Sequence, residues 1–63
     1  MEENIISRRI IELKDGDRTA TIVFDDGKFV ECRYIGLPIP YSYDDWVFLG
    51  RVAERITTER GER

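Results

Sequence analysis

The residues with reactive side chains are few and poorly matched to one another. Cys32 is the only cysteine in the chain, and histidine is absent. A thiol becomes a nucleophile when a neighbouring cation or base lowers its pKa. Cys32 instead alternates with Val30 and Tyr34, the pattern of a small apolar residue on a strand. Ser7 and Ser42 have no recognisable base to activate them. The carboxylate pairs Asp25-Asp26 and Asp44-Asp45 bring oxygen ligands together, as hard cations require. Both pairs, however, sit where Asp is favoured for local reasons, one at a hairpin turn and one at a helix start. The glycines never cluster into a phosphate-cradling loop. No catalytic residue, metal ligand set or cofactor site is therefore expected, and the chain does not read as an enzyme.

Arginine is the remaining chemical resource. Eight of the ten basic residues are Arg, the side chain best suited to bidentate pairing with carboxylate or phosphate. Arg8, Arg9, Arg51 and Arg55 are the candidate phosphate contacts. An aromatic such as Phe29 or Tyr34 on a sheet could stack a base beside them. Against this stand the net charge of −3 and the acidic residues Glu54, Glu59 and Glu62 interleaved with the helix arginines. That alternation is the mark of a solvated, salt-bridged face. Binding of nucleic acid or a nucleotide is accordingly the alternative reading. The segment from Tyr41 to Phe48 is a different resource, with four aromatics beside a proline-stiffened connector. Trp46 is assigned to the core there, and Tyr41, Tyr43 and Phe48 to contact with a partner.

These side chains must be positioned by a very small fold. A chain of 63 residues is read as a single domain, whose core has little to set against the entropy of ordering. One cysteine cannot close a disulfide within the chain, and no histidine is present to help hold zinc. Oligomerisation is the remaining source of stability. A lone cysteine, no run approaching about 18 apolar residues and no signal-peptide pattern point to a reducing, cytoplasmic setting without a membrane.

Two Asp-Gly steps, Asp15-Gly16 and Asp26-Gly27, separate runs rich in Ile, Val, Thr and Phe, the signature of successive hairpins. The expected strands cover 5–13, 18–24 and 28–35. A helix over 2–15 is the rival for the first run, with acidic residues in its first turn and Gly16 as its C-cap. Three-residue loops sort the strands into the most coherent faces. They set Ile10 opposite Ala20, Ile6 opposite Phe24, Glu12 opposite Arg18, Ile22 opposite Val30 and Ala20 opposite Cys32. One face then carries Ile6, Ile10, Ala20, Ile22, Phe24, Val30, Cys32 and Tyr34, with Arg8 as a polar intruder. The other carries Ile5, Ile11, Leu13, Val23, Phe29 and Ile35.

Two prolines make 36–41 a stiff connector. Ser42 and Asp45 form a capping-box pair, opening a helix over about 43–58 whose stripe of Trp46, Leu49, Val52, Ala53 and Ile56 packs on the sheet. Residues 59–63 form a frayed tail. The fold class is α+β, a three-stranded antiparallel meander followed by one C-terminal helix. A single helix covers one side of a sheet, so the second apolar face of Ile5, Ile11, Leu13, Val23, Phe29 and Ile35 is expected to meet a second copy in a homodimer. The function this implies is a small protein-protein interaction module, an inhibitor, adaptor or regulator of a larger protein of the kind phage and mobile elements encode.

Overall fold

A computed structural model describes residues 7–61 of the chain. Three strands, β1 (Arg8–Asp15), β2 (Arg18–Asp25) and β3 (Lys28–Ile35), form one antiparallel sheet in the order β1-β2-β3. The helix α1 (Tyr43–Glu59) follows. Over residues 8–15 the rival helix is overturned, because Ile10 and Ile11 are β-branched and pair with Val23 and Ile22. The expected first strand began at Ile5, and Ile5 and Ile6 lie outside the described residues. At its other end that strand runs on to Asp15.

Both hairpins close with two-residue loops, not three. In the first, Asp15 stands opposite Arg18, leaving Gly16 and Asp17 as the turn. Only Gly16 has positive φ, the mark of a type II′ turn. In the second, Asp25 stands opposite Lys28, and Asp26 and Gly27 both adopt positive φ, as type I′ requires. These primed turns match the right-handed twist of the flanking strands, which longer loops built on type I turns accommodate less directly.

The shorter loops change the faces. Ile10 lies opposite Val23 instead of Ala20, Glu12 opposite Thr21 instead of Arg18, and Phe24 opposite Arg9. Relative to the three-residue reading, β1 is displaced by an odd number of residues, so its alternation is inverted. Ile11 and Leu13 therefore point towards the helix, while Arg8 and Ile10 point away. A bulge makes Val30 the extra residue of β3, shifting Ile22 to Cys32 and Ala20 to Tyr34. Cys32 and Tyr34 keep their expected side, but Val30 and Phe29 exchange theirs.

The core consists of Ile11, Ala20, Ile22 and Phe24 from the sheet with Phe48 and Val52 from the helix. Leu13, Cys32, Leu37 and Ile56 pack around it. The buried stripe of α1 is thus Asp45, Phe48 and Val52, rotated from the expected one. The rotation has an electrostatic cause. Arg18 at the start of β2 donates from Nε to the Asp45 carboxylate at 2.6 Å. The same carboxylate accepts from the Ser42 backbone N–H at 2.8 Å, and Asp45 N–H returns a bond to Ser42 Oγ at 3.2 Å. This is the expected capping box with an ion pair added. Once Asp45 faces the sheet, Phe48 and Val52 follow at i+3 and i+7, and Trp46 turns outward by one residue's rotation.

The far end of α1 is held in the same way. Glu59 accepts from Arg55 Nε at 2.8 Å and from Arg9 Nη1 of β1 at 2.6 Å. The helix ends at Glu59, one residue beyond its expected end. Between sheet and helix, Gly36 has φ of 85° and lies against β2. A Cβ there would fall far inside contact distance of the Asp17 carbonyl oxygen. Gly27 also has positive φ, but a Cβ on it meets nothing within 4 Å. Gly27→Ala is therefore expected to cost about 1–2 kcal/mol from backbone conformation alone. Gly36→Ala carries that cost and a backbone clash as well, so its urea midpoint should fall well below that of Gly27→Ala. Equal midpoints would refute the close approach.

The helix anchors also set the response to acid. The Ser42 N–H and then Arg18 hold the Asp45 carboxyl below the usual carboxylate range. Arg55 and Arg9 do the same for Glu59, and Arg8 for Asp25. A group depressed on folding stabilises the native state above its unfolded pKa, near 4 for Asp and Glu. That contribution disappears as pH falls through the folded value. Urea midpoints should stay level from neutral pH to about 5 and drop steeply below about 4. Asp45→Asn should be weaker at neutral pH and show a shallower acid fall, and an unchanged acid profile in that variant would refute the assignment.

Candidate interaction surface

The face of the sheet away from α1 is built by strand alternation. The even residues of β1 share it with the odd residues of β2, and the bulge adds Val30 beside Glu31, Arg33 and Ile35 of β3. Its central row is apolar, with Ile10 opposite Val23 and Val30 beyond. A shallow depression there is lined by Arg8, Ile10, Thr21, Val23, Val30, Glu31 and Arg33. Ile10 is 61% exposed and Val30 49%, while Val23 between them is buried by its neighbours. Ile35, 68% exposed, stands at the end of β3 opposite Thr19. Ion pairs flank the row. Arg8 binds Asp25 through Nε and Nη2 at 2.9 and 3.1 Å, and Arg33 meets Glu31 at 3.1 Å.

Of the six residues expected on a single interface five are described, and of these Val23 and Ile35 occupy this face. Ile11 and Leu13 belong to the helix side, Ile11 within the core and Leu13 packed against it. Phe29 is on the helix side too, edge-on to Phe24 with ring centroids 5.9 Å apart. Ile5 lies outside the described residues. Ile10 and Val30, expected in the core, take their places. Loop length and the bulge account for each exchange, because both act through the parity of the strands.

The aromatic segment is likewise redistributed. Phe48 is 2% exposed and fills the core, whereas Trp46 is 59% exposed and stands edge-on to Tyr41 at 5.1 Å. Tyr43 is exposed on the first turn of α1. Phe48, and not Trp46, is therefore the core residue, for the reason given by Asp45. Tyr41 and Tyr43 remain open to solvent, as the contact assignment needs.

The four candidate phosphate arginines do not converge. Arg8 is engaged by Asp25 on the open face, while Arg9 and Arg55 share Glu59 on the helix side. Arg51 lines a groove beside Arg55 with Leu13, Glu54 and Thr58, so Arg9, Arg51 and Arg55 lie on the helix side and Arg8 on the other. Carboxylates already satisfy three of the four, and the fourth stands beside Glu54. Sequence reading also missed the Arg18–Asp45 pair, which joins residues 27 positions apart and leaves no trace in local spacing.

Asp26 and Asp45 have the local roles expected of them, while Asp25 lies in β2 and not in the turn. Asp25 ends β2 and binds Arg8, Asp26 takes the left-handed turn position, and Asp45 caps the helix. Among the described residues no helix is long and apolar enough to cross a membrane. No protein family model matches the chain, and no curated protein or solved structure does either.

Removing Phe48 should be decisive for folding. Phe48→Ala empties a packed site at a cost of about 3–5 kcal/mol, on the scale of a small domain's entire stability. Trp46→Ala loses chiefly the edge contact with Tyr41, worth about 0.5–1.5 kcal/mol. Circular dichroism should show the first variant largely unfolded and the second folded. The opposite order would restore Trp46 to the core.

Proposed function

We propose that the protein is a non-catalytic interaction module that self-associates and presents its uncovered sheet face to a larger protein, which it inhibits, tethers or regulates. The observation that carries this reading is the row Ile10, Val23 and Val30, with Ile35 nearby, on the side opposite α1. Exposed β-branched Ile10 and Val30 on either side of the buried Val23, rimmed by ion pairs, have the composition of a recognition surface with an apolar centre and a polar edge. Tyr41, Tyr43 and Trp46 at the start of α1 offer further amphipathic contact area on the other side of the molecule. Nucleic-acid or nucleotide binding is the weaker reading, since its arginines are scattered and mostly neutralised by carboxylates.

Affinity capture from the native host, using wild-type protein and a Val30→Asp/Ile35→Asp double variant as baits, tests this reading. Both positions are exposed, so the variant should fold. One dominant protein is expected with the wild type and should be lost with the variant. Identical recovery by both baits, or recovery of nucleic acid alone, would overturn the assignment.

A further inference from the structure

We infer that a second copy of this chain adds to the free edge of β1, pairing β1 with β1 about a two-fold axis at Ile10 to make one continuous six-stranded sheet. The inference rests on the self-association just proposed and assigns its geometry. Among the described residues β1 and β3 are the two edges of the sheet, and an edge strand is a template for strand addition. The edges are not equivalent. β3 is interrupted by the bulge at Val30, a device that blunts an edge, and its Glu31 and Arg33 already satisfy each other. β1 pairs with β2 in unbroken register over all eight residues.

Hydrogen-bond parity fixes which groups of β1 are available. Asp26 N–H donates to the Ser7 carbonyl at 2.9 Å, and Asp15 closes the first turn opposite Arg18. In an antiparallel ladder alternate residues bond to the same neighbour. The odd residues therefore serve β2, and Arg8, Ile10, Glu12 and Lys14 turn their backbone groups to the edge. Their side chains are the ones on the open face.

Charge then selects the register. With Ile10 opposite Ile10 of the second copy, Arg8 meets Glu12 of the second copy and Glu12 meets its Arg8. Moving one step in one direction sets Arg8 against Lys14 twice. Another step sets Glu12 against Glu12, and a step the other way brings Arg9 against Arg9. Of these registers only the first pairs opposite charges, twice, without also setting like charges against each other; a further step brings Glu12 against Lys14 but pairs only residues 11–15 of the strand. Asp25 engages Nε and Nη2 of Arg8, leaving Nη1 for the second copy. Glu12 is exposed, with no ion pair to another described residue.

The pairing also enlarges the recognition surface. Strands of eight residues and three strands make an open face of roughly 26 by 14 Å, small beside the about 800 Å² per partner of a standard interface. A two-fold axis perpendicular to the sheet keeps both helices on one side. It joins the two rows of Ile10, Val23 and Val30 end to end on the other.

Charge reversal tests this directly. Glu12→Arg leaves every ion pair described above intact, and like charges then meet twice across the axis. Self-association measured by sedimentation should weaken at least about tenfold. Arg8→Glu should do the same alone, and mixing the two variants should restore a heterodimer at wild-type strength. In a Cys32→Ser background, Ile10→Cys should give a disulfide-linked dimer on oxidation, because hydrogen-bonded pairs hold their Cα atoms about 5.5 Å apart. A dimer that survives both single reversals, or that forms no disulfide in the Ile10→Cys variant, overturns the β1 pairing while leaving self-association standing. A wild-type chain that stays monomeric at submillimolar concentration removes both.

Discussion

A sheet of three strands has two faces, and among the described residues one helix is present to cover them. Every later feature depends on which side chains that helix receives. The choice is made by parity, since alternate residues of a strand point to opposite sides and a shift by one exchanges the whole set. Two-residue turns at Gly16-Asp17 and Asp26-Gly27 send Ile11, Ala20, Ile22 and Phe24 under the helix. They leave Ile10 and Val23 on the outside, and the bulge of β3 brings Val30 beside them. The core and the exposed row are thus two results of the same backbone geometry.

The helix is fixed over its face at both ends. Asp45 closes the capping box and receives Arg18 from the start of β2, while Glu59 receives Arg9 from the start of β1. Because β1 and β2 are antiparallel, these two arginines lie at opposite ends of the sheet, and the helix is spanned between them. Ion pairs open to water contribute little on average, but the Asp45 and Glu59 carboxylates are largely covered. Here their importance is orientational: they determine the rotation of α1, and hence that Phe48 and Val52 meet the sheet while Trp46 does not. Gly36 completes the arrangement by letting the connector leave β3 in close contact with the backbone of β2.

The order of elements was readable from local signals. Asp-Gly steps between β-branched runs marked the hairpins, and Ser42 with Asp45 marked the helix start to the residue. Parity was not readable, because a turn of two residues and one of three can be written with the same Asp-Gly step. Grouping apolar side chains favoured the longer loop, since it placed Ile10 with Ala20 and Ile22. That criterion assumes that the most apolar face is the covered one. It fails when the outer face is also partly apolar, as Ile10, Val23 and Ile35 make it here. The helix stripe failed similarly. A hydrophobic pattern ranked Trp46 above Asp45 as an inward residue, while a charged partner from a distant strand decided the rotation.

The exposed row invites a simpler explanation, that Ile10, Val30 and Ile35 are there only because β-branched residues favour strands. The same face provides a control. Thr19 and Thr21 occupy neighbouring outward positions, are β-branched, and serve strand formation without an apolar surface. Threonine would have served as well at Ile10 and Val30, the two residues that flank Val23, and would have left a more soluble face on a domain with little stability to spare. Strand propensity therefore explains that these residues are branched. It does not explain that they are apolar and adjacent, which the proposed role as an interaction surface requires.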